Sequence, residues 1–135
     1  MTLGLDTSVA VRLLVGEPAA QAEAARRVLE EGVRDSVTLS VTISDLVVGE
    51  MYFALRHHYA VPHAKAVAAL RALLNDHRIR ATGVARQVLD DMPDRDAGPG
   101  VMDRLIHADY ARDSSILLTF DRLAARLRSA RLLTG

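Results

Sequence analysis

The sequence predicts a single α/β domain, residues 1–135, built on a parallel sheet. Short apolar runs typical of buried strands alternate with longer segments of helical periodicity, and this alternation is typical of helices packed on a parallel sheet. A length of 135 residues suits one hydrophobic core, and no repeat divides it. We therefore expect a central sheet of four to five strands flanked by helices.

Composition limits the kinds of protein this chain can be. Half of the residues are hydrophobic but Trp is absent, so the core must consist mainly of aliphatic side chains. The absence of Cys excludes disulfides and thiolate metal sites and is compatible with a reducing compartment. Basic and acidic residues balance at 17 each, which gives no overall attraction for nucleic acid. No apolar segment is long enough to span a membrane, so we expect a cytoplasmic protein.

The first two thirds of the chain contain most of the predicted elements. Gly16 and Pro18 end the first helix, and Ser44 is a suitable N-cap for the third. Strands are predicted over residues 3–5, 37–43 and 79–82. Helices are predicted over residues 9–15, 19–33, 45–57, 62–75 and 84–89.

The last third begins with a clear break at Gly98-Pro99-Gly100, after which a helix starts near Val101. A polar stop at residues 112–114 ends this helix. The apolar run Ser115–Thr119 then predicts a strand buried on both faces. A short helix over 123–127 and an edge strand at 132–133 complete the chain.

Three acids occupy matching places in this arrangement, and a fourth, Glu50, fits the same point. Asp6 ends the first strand, Asp121 follows a later strand, and Asp103 lies in the first turn of the helix between them. Ligand crevices in open α/β sheets lie beyond the carboxyl ends of strands, so these carboxylates converge if the two strands are neighbours. Glu50 lies in a helix whose faces both look apolar, and it therefore needs a partner, which the same pocket would supply.

Carboxylates that share a pocket repel each other unless a cation neutralises them. With oxygen ligands only, and with no Cys and no suitably spaced His, the fitting ion is Mg²⁺ or Mn²⁺. Such a site can hold one or two metal ions, which activate water and stabilise the leaving oxygen of a phosphodiester. The acids therefore favour hydrolysis of a phosphodiester.

Four segments resemble the motifs of a known family in the same order along nearly the whole chain. They are Leu5–Val9, Ser44–Glu50, Met102–Ala108 and Leu117–Arg122. The resemblance is to PIN-domain ribonucleases, and most closely to the VapC toxins of bacterial toxin–antitoxin pairs. It implies a Rossmann-like sheet, a Mg²⁺- or Mn²⁺-dependent endoribonuclease that cuts RNA, a homodimer, and inhibition by a small VapB-like antitoxin.

The resemblance assigns the catalytic and metal-binding positions to Asp6, Glu50, Asp103 and Asp121. Ser8 stands where many members of the family have Asn. We expect Thr7, Ser8 and Thr119 to orient the carboxylates or a water molecule, and we consider Arg104 and Arg122 as phosphate-binding residues.

Each assignment has a structural alternative. Asp6 can be an ordinary helix cap, Asp103 can serve only the helix dipole, and Asp121 can serve only a turn. Glu50 can pair with an Arg in the core. Capping and strand propensity also explain the three hydroxyl residues, and the two Arg residues can be solvated or salt-bridged.

Two other functions compete with the nuclease. One is a catalytically silent PIN-like module that binds RNA or a protein partner. The other is a phosphoacceptor receiver domain, whose chemistry typically requires a Lys at the end of a late strand. The only lysine, Lys65, falls in a predicted helix, so the receiver is the weaker alternative.

Overall fold

The structure is a computed structural model that describes residues 2–34 and 40–134. Strands and helices alternate in this part of the chain. The strands are β1 (Thr2–Gly4), β2 (Ser40–Ile43), β3 (Ile79–Ala81), β4 (Leu117–Thr119) and β5 (Ala130–Leu132). The helices are α1 (Thr7–Leu14), α2 (Ala19–Arg34), α3 (Asp45–His57), α4 (His63–Asn75), α5 (Ala85–Asp90) and α6 (Val101–Ala111), with a 3₁₀ helix at Ala124–Arg126. Residues 37–39 of the predicted second strand lie outside the described residues.

All strand pairs are parallel, which confirms the predicted α/β class. β2 lies between β1 and β3, with Leu3 beside Val41 and Val41 beside Ile79. β4 and β5 form a separate two-stranded pair, so the described strands are divided between two hydrogen-bonded sheets instead of one. In the described part of the chain, β1 and β4 are therefore not hydrogen-bonded neighbours. The condition under which Asp6 and Asp121 were expected to converge is not met by strand pairing.

The prediction that β4 is buried on both faces is wrong. Leu117 is buried, whereas Ile116 and Leu118 on either side of it are 52% and 55% exposed. Successive side chains of a strand point to opposite faces, so one face of β4 packs inward and the other remains open. An apolar run of this length is therefore not sufficient to identify a strand that is buried on both faces.

The core lies between the three-stranded sheet and the helices and is aliphatic, as the composition predicts. On α3, Val48, Met51 and Leu55 recur at helical spacing and are buried together. The largest fully buried side chains of the described chain include Ile43, Met51, Leu70, Leu74 and Leu89. No helix among the described residues is both long and apolar enough to cross a membrane.

The loop between α5 and α6 is fixed by side chains of α4. His63 is buried, and its Nε2 donates to the carbonyl oxygen of Pro93 at 2.9 Å. Arg71 Nε donates to the carbonyl of Leu89 at 2.6 Å, and Arg71 Nη2 donates to that of Met92 at 2.7 Å. These bonds hold three backbone carbonyls at the end of α5 and just after it. They thereby set the path by which the chain enters α6.

Candidate active site

A cavity of about 600 Å³ lies between the start of α1, the middle of α3 and the first turn of α6. Three of the residues singled out in the sequence line it, namely Thr7, Glu50 and Asp103. Its remaining wall is mostly apolar and includes Phe53 and Met102. The cavity therefore places two carboxylates and a hydroxyl beside an apolar surface.

Close packing of α3 on α6 brings Glu50 and Asp103 to this cavity. A Cβ atom at Gly49 would lie 2.6 Å from Met102 Sδ and 3.5 Å from Leu105 Cδ1, so glycine permits the close approach. α6 begins at Val101, as predicted, and Asp103 lies in its first turn. The positive end of the helix dipole favours a carboxylate there. Gly49 and the start of α6 thus determine where the two acids lie.

The expected burial of Glu50 is wrong, because Glu50 is exposed. Leu46 and Phe53 occupy the same side of α3, four residues before and three after it, and they are 69% and 61% exposed. This side of the helix faces solvent despite its apolar side chains. Burial therefore does not require a partner for Glu50, and its functional candidacy depends on the cavity that it lines with Asp103.

Asp6 follows β1 and precedes α1, next to the cavity residue Thr7. It occupies the N-cap position, but among the described residues its carboxylate makes no capping hydrogen bond. Instead Ser8 Oγ donates to Asp6 Oδ2 at 2.8 Å. This hydrogen bond is the main cause that lowers the pKa of the Asp6 carboxyl below its usual value. Asp6 is thus an exposed, oriented carboxylate that favours its charged form.

Asp121 lies beyond β4 and does not line the cavity of Glu50 and Asp103. Its Oδ1 accepts the backbone N–H groups of Leu123 at 2.7 Å and Ala124 at 3.3 Å, which caps the 3₁₀ helix. Its own backbone N–H donates to Thr119 Oγ1 at 2.9 Å. Asp121 therefore has the turn-forming role considered as its alternative, and one of its carboxylate oxygens is already engaged.

Comparison with known protein families gives a match that spans most of the sequence. Residues 4–129 match the PIN domain. The chain belongs to the PIN-domain family. No curated protein matches the chain. PIN domains generally have a nuclease-type fold, and those that are nucleases typically use divalent metal ions.

The described side chains of this PIN domain match the needs of such an ion only in part. Within residues 2–34 and 40–134, no three His, Asp or Glu side chains lie close enough together to hold a metal ion as a group. Thr7 Oγ1, however, is buried without a hydrogen-bond partner in the described structure, and Thr7 lines the cavity with Glu50 and Asp103. A buried hydroxyl without a partner costs free energy, so a polar ligand is favoured there. The carboxylate and hydroxyl oxygens of these three residues are the type of ligand that a hard cation such as Mg²⁺ or Mn²⁺ prefers.

The two arginines considered for phosphate binding lie outside this cavity. Arg104 is half-buried, its Nε donates to the carbonyl of Pro99 at 2.9 Å, and its side chain lines a different cleft, beside α5. Arg122 is exposed beyond β4, next to Asp121. Arg104 thus follows Asp103 in the sequence but faces another side of α6.

The sequence did not reveal the part played by Tyr52 in the cavity wall. Tyr52 Oη lies 2.6 Å from His63 Nδ1, and burial raises the pKa of the tyrosine. Because His63 Nε2 donates to a carbonyl, Nδ1 is left to accept a hydrogen bond from the tyrosine hydroxyl. The bond joins α3 to α4 across 11 residues, and a Tyr within an apolar helix was the only signal of it. The cavity is thus linked to the loop that precedes Asp103.

Proposed function

We propose that this PIN domain is a metal-dependent endoribonuclease that hydrolyses RNA phosphodiester bonds and serves as the toxin of a VapC-type toxin–antitoxin pair. The observation that carries the proposal is the cavity that Glu50, Asp103 and Thr7 line together, with the Thr7 hydroxyl unpartnered in the described structure. Membership of the PIN-domain family supports it, because the nucleases of this family typically use divalent metal ions.

In this proposal Asp6, Glu50, Asp103 and Asp121 hold Mg²⁺ or Mn²⁺ directly or through water. The bound ion would activate water and stabilise the charge that grows on the leaving oxygen. The Ser8 hydroxyl orients Asp6 and favours its ionised form. Thr119 fixes the backbone of Asp121, and the second oxygen of Asp121 remains available as a ligand. One carboxylate accepts the proton of the attacking water.

The proposed partners are a second copy of the chain and a VapB-like antitoxin in the cytoplasm. Support comes from apolar side chains exposed along α3 and α6, which are Leu46, Phe53, Met102 and Ile106. Exposed apolar patches are typical of protein interaction sites. A molar mass measured by light scattering, with and without the antitoxin, tests both partners. A monomer that does not bind the antitoxin would refute this part of the proposal.

A catalytically silent module that binds RNA or a protein is the second candidate. Two observations favour it: Asp121 Oδ1 is engaged in a cap, and the described acids do not form a group of three. The two candidates differ in the effect of metal on RNA. A silent module would bind RNA without cutting it at any concentration of Mg²⁺ or Mn²⁺.

The test is cleavage of a labelled RNA pool with Mn²⁺, with Mg²⁺ and with a chelator. Asp103→Asn is compared with Asp109→Asn, which removes an exposed acid from the same helix. We expect Asp103→Asn to lose at least about 100-fold in rate, since the charge of a ligand is lost while the side-chain volume is kept. Asp109→Asn should retain the wild-type rate. Cleavage by Asp103→Asn at the wild-type rate would refute the site, and cleavage unaffected by chelator would refute the metal.

A further inference from the structure

A second cleft, of about 410 Å³, lies on the other flank of α6, between α5, α6 and the turn that follows the 3₁₀ helix. Its charged lining is predominantly basic, with Asp91 as the only acid among its lining residues. The basic side chains are Arg104, His107, Arg112 and Arg128. The formal charge of the whole chain is zero, so this excess of positive charge is local.

Helical spacing aligns this basic lining along α6. Arg104, His107, Ala108, Ala111 and Arg112 all line the cleft and recur every three or four residues. Arg104 and Arg112 are separated by about 12 Å along the helix axis at a rise of 1.5 Å per residue. The two alanines between them leave room for a ligand. The stripe thus suits an extended anion better than a single small one.

The contacts already made by these side chains leave most of their donors available. Each guanidinium has five N–H donors. Arg104 uses Nε on Pro99, and Arg112 Nη1 lies 3.7 Å from Asp109 in an exposed pair. Such an exposed ion pair contributes little to the free energy of folding, so Arg112 can release Asp109 and bind a phosphate group instead. His107 Nε2 donates to the backbone carbonyl of Arg128, which holds the turn against α6.

We propose that this basic cleft binds phosphate groups of a single-stranded RNA whose scissile bond lies at the acid cavity. The inference deepens the proposed function and rests on RNA being the substrate. Arginine matches phosphate through paired N–H donors. Asp103 of the cavity and His107 of the cleft are one turn apart on α6 and are neighbours on its surface, so a strand that leaves the acids can continue along α6. Among the described residues that line the cleft, none is Phe, Tyr or Trp, so binding is to the backbone and independent of base sequence.

The test measures binding without cleavage. A short fluorescein-labelled 2′-O-methyl RNA of mixed sequence is titrated with the full chain in the presence of chelator, over a range of salt concentrations, and anisotropy is recorded. The cleft variant Arg112→Gln/Arg128→Gln is compared with Arg26→Gln/Arg27→Gln. The control removes the same charge from α2, where both side chains are exposed and pair only with Glu23 in the described structure.

We expect the cleft variant to bind at least about 10-fold more weakly and the control less than about 2-fold more weakly. The slope of log K against the logarithm of the salt concentration is negative. Its magnitude should be smaller by about 1.4 in the cleft variant, since each lost contact to a single strand removes about 0.7. Oligonucleotides of different base sequence should bind alike. Equal loss in the two variants, or an unchanged slope in the cleft variant, would overturn the proposal.

Two competitors identify the ligand. Inorganic phosphate alone should displace the oligonucleotide only weakly, and so should an oligoglutamate peptide. Displacement by either one as efficiently as by unlabelled RNA would overturn the assignment to a nucleic acid strand. If circular dichroism shows that the double variant is unfolded, Arg128→Glu replaces it, because this residue is exposed on a turn. At least about 5-fold weaker binding is expected for Arg128→Glu, and wild-type binding would overturn the proposal.

The outcomes separate this inference from the proposed function. RNA binding that depends on the cleft, in a protein that cuts no RNA with any metal, would refute the nuclease and retain the cleft. If the wild type cuts RNA with metal and the cleft variant binds RNA as tightly as the wild type, the nuclease would be retained and the cleft refuted.

Discussion

The two sheets support their acids in different ways. Beside the three-stranded sheet, Glu50 and Asp103 are positioned by α3 packed on α6, above a buried core. Beside the two-stranded sheet, Asp121 is positioned by Thr119, Leu123 and Ala124, all within three residues of it, and the neighbouring apolar side chains are largely exposed. The first pair of acids thus depends on tertiary packing, whereas Asp121 depends on local hydrogen bonds.

This difference means that destabilising substitutions should affect the two regions unequally. A change in the core near α4 should disturb the entry into α6 and with it Asp103. A change at Asp121 should disturb little beyond its own turn.

His63→Ala should give the largest loss of stability. It removes a buried ring and leaves Tyr52 Oη and the carbonyl of Pro93 without their partner. We expect the free energy of unfolding in urea to fall by about 3 kcal/mol. His77→Ala is the matched control, because the His77 side chain is 87% exposed, and it should cost less than about 0.5 kcal/mol. Equal effects of the two substitutions would show that the hydrogen bonds of His63 contribute nothing to the free energy of unfolding.

Asp121→Ala should have a smaller and more local effect. It removes the acceptor for the N–H groups of Leu123 and Ala124 and should lower the free energy of unfolding by about 1 kcal/mol. Asp121→Asn keeps the Oδ1 acceptor and removes only the charge, so its stability should be close to that of the wild type. Both variants should lose cleavage activity if the charge of Asp121 serves the metal. If Asp121→Asn destabilises the protein as much as Asp121→Ala, the hydrogen bonds accepted by Oδ1 are not the source of the stabilisation.

The smallest effect should come from Asp76, before β3. A hydrogen bond from Arg78 lowers the pKa of the Asp76 carboxyl from 3.8 to about 2. A folded-state pKa below the unfolded value stabilises the protein above pH 3.8, and this stabilisation is lost as the pH falls towards 2. Because the pair is partly exposed, we expect a contribution of at most about 1 kcal/mol. Unfolding of Asp76→Asn and wild type should therefore differ at neutral pH, and the difference should shrink as the pH falls through about 2; a difference at pH 2 as large as that at neutral pH would contradict this origin.

Local sequence signals predicted the elements that carry the acids. Ser44 caps α3 as expected, with Val47 N–H donating to Ser44 Oγ at 3.3 Å. The break at Gly98-Pro99-Gly100 correctly placed the start of α6 at Val101. Both signals act within one turn of helix, so they can be read without knowledge of the fold. They correctly placed Glu50 and Asp103 on the two helices that line the cavity.

Features that depend on distant contacts could not be predicted. The apolar neighbours of Glu50 suggested burial, but only the tertiary structure shows that its side of α3 is uncovered. Asp45 lies in the first turn of α3, where a carboxylate ordinarily serves the dipole of its own helix. Its carboxylate instead accepts the backbone N–H groups of Val84 and Ala85, against a glycine at position 83 that leaves it space. No periodicity or cap signal links residues 39 positions apart.

The proposed function requires acids from separate elements to hold a divalent cation. Isothermal titration of the protein with Mn²⁺ tests it most directly, on the wild type, on Asp6→Asn, Glu50→Gln, Asp103→Asn and Asp121→Asn, and on Asp109→Asn as a control. We predict that the wild type and the control bind Mn²⁺ equally and that each of the four variants loses at least about 10-fold in affinity. A wild type that does not bind Mn²⁺, or an affinity that none of the four substitutions lowers, would contradict the account.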